Sequence, residues 1–430
     1  MLLNVESKKK IAIIGLGYVG LPLAFLFINN GFEVIGIDID ENKIKKINTF
    51  NSYLPEIRND ELKKAILDQT FKVSSNYDLM NEVNAIILCI PTPLSVTAEP
   101  DLSYLINAAD CLVPRLKKGQ LIVLESSTYP GTTKDVLQPI LEKSGFQIGK
   151  DLYLSYSPER MDPGSKDHSI KDIPKVVSGV TEECLTHVVD LYSKVFNHVV
   201  IASSTEIAEM SKLLENSYRF INISFINEIS ILCDLLKINV WEVIQTASTK
   251  PFGFTPFYPG PGIGGHCIPV DPLYLQWKAC QVGGNSKFID AAIRINKLIS
   301  DHIVLQITKV LSDVKKKKIL ICGVTYKKDI NDLRESHAIP IIESLLQKGA
   351  NISYFDPFVD ELLIFDKKLT SIKLTEDALK IFDCVVILTD HSSLPIKKIL
   401  EYSKIVYDTR NASNGIKGNA KVFHLGGGML

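Results

Sequence analysis

The stretch Pro259–Pro272, "PGPGIGGHCIPVDP", sets a thiol, Cys267, and a carboxylate, Asp271, four residues apart among glycines and prolines. Cysteines in apolar runs are usually inert core residues, and Cys89, Cys233, Cys322 and Cys384 have that setting. Cys267 lies where backbone amides can approach a ligand, and covalent catalysis needs an accessible thiol that becomes a thiolate. His266 is its neighbour, but adjacent side chains diverge, so His266 suits positioning better than a Cys–His dyad. The residues alone leave both a nucleophile and a structural loop cysteine open at Cys267.

A different chemistry is written near the start of the chain. In "IAIIGLGYVGLPLA", Gly15, Gly17 and Gly20 form GxGxxG between an apolar run and a helical pattern, and Asp38 closes the next apolar run, "FEVIGIDID". Glycines in this context permit a tight turn and bring a pyrophosphate to a helix N-terminus, while an acid about twenty residues on takes a ribose hydroxyl. A carboxylate there repels a 2′-phosphate, so the pattern predicts NAD rather than NADP. Tyr18 and Val19 inside the loop, Lys43 beyond Asp38, and Pro91, Thr92 and Thr128 farther along complete the expected cofactor set.

Polar or rigid residues also follow three apolar runs: Pro91-Thr92-Pro93, Ser127-Thr128 and Pro158-Glu159-Arg160. In a doubly wound sheet the ligand lies outside the carboxyl ends of the strands, so these positions share one rim. Glu159 there suits a general base or a water holder. Farther on, Lys212, Asn216 and Arg219 stand at i, i+4 and i+7, aligned on one helix face and apart from a stripe of Ile207, Leu214 and Ile221. They form either an ordinary wet face or the cation and amide that an oxyanion or diphosphate needs.

These residues require elements to hold them. "IAIIGLG", "FEVIGIDID", "AIILCIPTP", "LIVLESST", "LYLSYSPE", "KVVSGV" and "VVIASS" read as buried strands alternating with helices, the pattern of a parallel sheet covered on both faces. From Ser203 some thirty residues run without proline or glycine, and Ser203 with Glu206 has capping-box spacing. One long helix or two abutting ones are expected there. After a solvated "VKKKK", the runs "ILICGVTYK", "ANISYFDPF", "DCVVILTDH" and "KIVYDTR" predict a second α/β region in which GxGxxG does not recur. The fold expected is α/β, with two Rossmann-like doubly wound domains joined by a long central helix and a small helical domain. The divisions expected are 1–203, 204–314 and 315–430.

A chain of 430 residues exceeds the roughly 250–300 at which single cores stop growing. A net charge of −1 offers no basic surplus for nucleic acid or an anionic membrane surface. The eight cysteines have neither paired nor zinc-ligand spacing, so no metal is expected and a reduced, cytoplasmic setting is. No apolar run reaches about 18 residues, so no membrane insertion is expected.

With these residues in place, the chain resembles the UDP-glucose/GDP-mannose dehydrogenase family over roughly 10–425. "GLGYVGLPLA", "PTP", "ESSTYPGTT", "YSPER", "AEMSKLLEN", "GGHCIPVDP" and "GVTYKKDINDLRES" occur in the family's order. The resemblance implies oxidation of a sugar C6 alcohol to a carboxylate with two NAD+. Cys267 becomes the nucleophile, Glu159 and Asp271 the carboxylates that activate water, Lys212 and Asn216 the oxyanion partners, and Thr128 part of the proton path. Lys327 and Arg334 match contacts to the uridine diphosphate, and Arg160, Arg219, Lys250, Gly264 and His266 join the expected substrate set. His266 and Val270 depart from the UDP-glucose branch and look like bacterial UDP-N-acetylglucosamine 6-dehydrogenases of surface-polysaccharide pathways. UDP-N-acetylgalactosamine and UDP-glucose are alternative substrates for the same chemistry. A two-electron NAD dehydrogenase is the alternative of another class, and it would not need Cys267. A homodimer or larger homo-oligomer is implied as well.

Overall fold

The computed structural model describes residues 9–54, 56–95, 97–160 and 170–428. The chain packs as two compact units, Met1–Glu215 with Leu273–Gly283, and Asn216–Pro272 with Gly284–Leu430.

The first unit is built on eight strands: β1 (Lys10–Ile14), β2 (Glu33–Ile37), β3 (Phe71–Ser74), β4 (Ala85–Leu88), β5 (Leu121–Leu124), β6 (Tyr153–Tyr156), β7 (Lys175–Gly179) and β8 (Val199–Ile201). Their order is β3-β2-β1-β4-β5-β6-β7-β8, with every pairing parallel except β6 with β7. Alternation along β1 explains the covered sheet: Ile11 and Ile13 enter one apolar cluster, Ala12 and Ile14 the other. Each such isoleucine, fully buried, contributes roughly 1.5–3 kcal/mol. The strand order reverses between β1 and β4, which puts the crevice at Gly15 and at the residues after Leu88.

The second unit repeats the plan on β9 (Lys318–Cys322), β10 (Asn351–Phe355), β13 (Cys384–Ile387), β14 (Ile405–Asp408) and β15 (Lys421–His424), in the order β10-β9-β13-β14-β15, all parallel. A hairpin of β11 (Glu361–Ile364) and β12 (Lys367–Thr370) is inserted. The two sheets share an atomic detail. Gly15 N–H donates to the Ile37 carbonyl at 2.8 Å and Leu16 N–H to Asp38 Oδ2 at 2.9 Å; Gly323 N–H donates to Phe355 at 2.9 Å and Val324 N–H to Asp356 Oδ2 at 2.7 Å. The second carboxylate differs in being fully buried, with His391 Nε2 at 3.0 Å.

The run after Ser203 is one helix, Thr205–Leu236, whose 32 residues span about 48 Å at 1.5 Å per residue. Its capping side chain is Ser204 rather than the expected Ser203, because Ile207 N–H, three positions on, donates to Ser204 Oγ at 3.2 Å. The buried face is mixed, with Ala208, Leu213, Phe220 and Ile226 beside polar residues, and the expected apolar stripe lies largely outside it. Ile207, Leu214 and Phe225 are 53%, 59% and 56% exposed, whereas Glu209, Lys212 and Asn216 are buried.

Candidate active site

In the first unit the glycine loop has the form a dinucleotide needs. Gly15 has φ +94°, and a Cβ there would sit 2.3 Å from the Cys89 carbonyl, so only glycine fits. Around a Cβ placed at Gly17, by contrast, nothing lies within 4 Å, which leaves the outer side of the loop open to phosphates. Helix Gly20–Asn29 starts there with no acidic residue in its first turn, so its N-terminus favours an anion. Asp38, buried, accepts from the Leu16 and Asp40 N–H groups, each at 2.9 Å, and Lys43 Nζ lies 3.3 Å from it. This carboxylate is therefore held in one orientation with a cation at its edge. Open loop, unopposed helix terminus and fixed acid fit NAD.

The rim beyond the sheet carries the other residues of this unit. Pro91 is exposed, and Thr92, buried, donates from its hydroxyl to the Ser127 carbonyl at 2.6 Å. Thr128 is fully buried, and its hydroxyl has no hydrogen-bond partner among the described residues. The loop that follows is fastened to the long helix by Glu209, which accepts from Gly131 N–H at 2.6 Å, Thr133 N–H at 2.8 Å and the Thr133 hydroxyl at 2.7 Å. Burial pushes the Glu209 carboxyl up to about 7 despite these donors. Glu159 is buried beside Lys175, Oε2 to Nζ 3.9 Å. The Arg160 guanidinium is engaged by Glu215 at 2.7 Å and by the Pro174 carbonyl at 2.8 Å. Lys212 lies on the buried face of the helix.

In the second unit the cysteine loop is a packed structure. Gly260 N–H donates to Asn227 Oδ1 at 2.9 Å, Ile263 N–H to Asn296 Oδ1 at 2.7 Å, and Gly265 N–H to the Arg334 carbonyl at 3.0 Å. The glycines are required by what lies against them. A Cβ at Gly262, where φ is +141°, would sit 2.3 Å from His337 Nδ1, and one at Gly264 2.5 Å from the Glu335 carbonyl. Close packing on the segment after β9 is thus one reason these positions are glycine. It also brings Gly264 and His266 beside Arg334. Burial, with the Arg334 charge, holds His266 below the usual imidazole range.

Cys267 itself is exposed. Its carbonyl accepts the Val270 and Asp271 N–H groups at 3.2 and 2.9 Å, closing a turn that leads into helix Asp271–Gln281. Asp271 is buried, and Asn216 Nδ2 donates to its Oδ2 at 2.5 Å. Arg334 is locked on Asp332 by contacts of 2.6–3.1 Å, and Lys327 is half-buried, its carbonyl accepting from the Thr325 hydroxyl at 2.8 Å. Arg219 and Lys250 are both exposed, the latter 4.9 Å above the Phe252 ring.

Three family models match in order. Residues 9–196 match the NAD binding domain of the UDP-glucose/GDP-mannose dehydrogenase family, 206–298 its central domain and 320–415 its UDP binding domain. The chain belongs to the UDP-glucose/GDP-mannose dehydrogenase family. It is an NAD-dependent UDP-sugar dehydrogenase, with NAD as cofactor. It is 34% identical over 415 residues to the UDP-N-acetyl-D-glucosamine 6-dehydrogenase of Pseudomonas aeruginosa, which covers 93% of this chain and 96% of that one. It is equally 34% identical, over 423 residues, to a UDP-N-acetyl-D-mannosamine dehydrogenase of Methanococcus maripaludis (94% and 93%). Among solved structures, UDP-D-ManNAc dehydrogenase from Pyrococcus horikoshii superposes with a TM-score of 0.88 at 30% identity, covering 98% of this chain and all of that one.

Within this UDP-sugar dehydrogenase, residues that carried no sequence signal turn out to hold the motifs in place. Glu209 and Asn296 within helices, His337 just before one and Lys175 at a strand start are single polar residues, and only tertiary packing shows what each holds. Arg410, whose guanidinium lies 2.5 Å from a Cβ built at Gly260, belongs with them. The place of Glu159, just past an apolar strand, was legible because the doubly wound fold puts strand ends at the crevice.

Proposed function

We propose that this dehydrogenase oxidises the C6 hydroxyl of a UDP-2-acetamido sugar to the carboxylate through a covalent bond to Cys267. The observation that carries the proposal is the exposed Cys267 on a pinned turn, with Asp271 of the same turn held by Asn216. The NAD+, when bound, accepts a hydride at each of two stages. In the first, Glu159 or a water it holds takes the C6 hydroxyl proton as the alcohol becomes an aldehyde. The Cys267 thiolate then adds to C6, and Lys212 and Asn216 meet the negative oxygen that forms. Loss of a second hydride from this thiohemiacetal leaves a thioester. A water deprotonated by Asp271 or Glu159, with Thr128 in its proton path, adds to C6; the C–S bond breaks and the thiolate returns as the carboxylate forms.

The sugar proposed is UDP-N-acetyl-D-glucosamine, on the segment Lys250–Pro272 with His266 and Val270. UDP-N-acetyl-D-mannosamine is the second substrate, favoured by the names of the Methanococcus and Pyrococcus proteins; the residues alone had not raised it. Both carry an acetamido group, which adds a donor and an acceptor that UDP-glucose cannot match. Loss of such contacts costs a few kcal/mol, with about 1.4 per factor of ten. Steady-state kinetics on UDP-N-acetylglucosamine, UDP-N-acetylmannosamine, UDP-N-acetylgalactosamine and UDP-glucose tests this. UDP-glucose is expected to be at least about tenfold poorer in kcat/KM than the best acetamido sugar. UDP-glucose as the best substrate would overturn the acetamido assignment.

A further inference from the structure

The first unit contains a buried cluster of ionisable groups of which the proposed reaction uses only Glu159. Lys175, first residue of β7, points its ammonium at two carboxylates: Glu125 Oε2, just past β5, at 2.6 Å, and Glu159 Oε2, just past β6, at 3.9 Å. Lys175 and Glu125 are almost wholly buried, and Glu159 nearly so. Tyr192, from helix Glu182–Tyr192, donates its hydroxyl to Glu125 Oε1, and the Tyr192 and Phe196 rings lie 5.5 and 5.4 Å from the ammonium. The Pro158 carbonyl accepts from Lys175 at 3.4 Å, which ties the lysine to the backbone that carries Glu159. A small cavity lined by Leu23, Glu159, Arg160, Pro174, Lys175 and Phe196 adjoins the group.

Two buried carboxylates facing each other cannot both ionise cheaply, and a cation between them decides which protonation state is held. We infer that Lys175 is a positioning residue for Glu159, its ammonium pairing with that side chain while Glu125 and Tyr192 anchor the lysine. This rests on the proposed proton-accepting role of Glu159. Burial opposes the charge of Lys175, but the Glu125 and Glu159 carboxylates outweigh it, so the lysine is held above its ordinary range. Among the described residues, the other titratable groups facing the cluster are Cys89, Tyr192 and Arg160, of which only Arg160 carries a positive charge. Burial raises the Cys89 thiol, Tyr192 is likewise raised by burial, and Arg160 is committed to Glu215.

The test is the acid limb of kcat/KM against pH, read by NADH formation, because that limb reports the base of the free enzyme. Removing an opposite charge at this range raises a carboxylate by about one to three pH units. Lys175→Met should therefore move the limb upward by at least about one unit, and Glu125→Gln, which removes the competing carboxylate, should not move it upward. A lone Glu125 left buried in Lys175→Met endangers folding, so the double variant Lys175→Met/Glu125→Gln is compared with Glu125→Gln alone, and its limb should lie higher. An acid limb unmoved or lowered by loss of Lys175 overturns the inference, as does an upward move in Glu125→Gln. A structural role alone would lower the rate at every pH and leave the limb in place. Glu159→Gln separates the two claims. If it keeps the wild-type limb, the role of Glu159 fails; if it loses the limb or all activity while Lys175→Met leaves the limb unmoved, only the role of Lys175 fails.

Discussion

The expected choice of NAD over NADP rests on Asp38. Its carboxylate is fixed by two backbone donors at 2.9 Å, so it cannot swing aside for a 2′-phosphate, and Lys43, 3.3 Å away, is already paired with it. NAD+ is therefore expected to exceed NADP+ in kcat/KM by two orders of magnitude or more, about 2.7 kcal/mol at 1.4 per factor of ten. Comparable values for the two cofactors would contradict this. Gly15, Gly20 and Asp38 were legible in the sequence because a tight turn, a helix terminus and a ribose acceptor each demand a particular residue type at a fixed offset. Glu209 was not, since a buried glutamate in a helix takes its meaning from a loop some eighty positions away, Gly131 to Thr133.

At the scale of elements, the apolar runs identified most of both sheets. β3, "FKVS", β15, "KVFH", and the β11/β12 hairpin escaped notice because short edge or inserted strands alternate with polar residues and lack the continuous apolar signature of a central parallel strand. The long helix was legible in extent but not in orientation. Its period predicts an apolar stripe, but Ile207 and Leu214 of that stripe lie exposed, and the buried face mixes Ala208, Leu213 and Phe220 with Glu209, Lys212 and Asn216. The cysteine loop illustrates the energetics of such packing. His337 fills the space beside Gly262, within 2.7 Å of the Ser300 hydroxyl and 3.1 Å of Asn296, and burial lowers its imidazole to about 4. A histidine neutral in the fold that protonates near 6.5 when unfolded contributes stability that is present above about pH 6.5 and lost as pH falls toward 4. The melting temperature should drop through that window, and His337→Gln should show a smaller drop than the wild type in calorimetric scans. An equal drop in both would assign the acid sensitivity to other groups.

For the molecule as a whole, the exposed stripe of the long helix asks for a cover. Ile207, Leu214, Phe225 and Leu232 repeat at helical spacing on a surface where isolated apolar residues would be ordinary but a continuous row is not. We propose that this row packs on a second copy of the chain, which makes the protein at least a dimer. Light scattering at assay concentration should give twice the monomer mass or more, and Phe225→Glu should shift it toward the monomer; a monomeric wild type would contradict the proposal. The proposed chemistry stands on Cys267, and the most direct measurement is the number of NADH formed per sugar oxidised. Two NADH per uronate are expected for the wild-type protein, and Cys267→Ala, unable to form the thiohemiacetal, should release no uronate. One NADH per sugar, or a normal yield of uronate from the alanine variant, would contradict covalent four-electron oxidation.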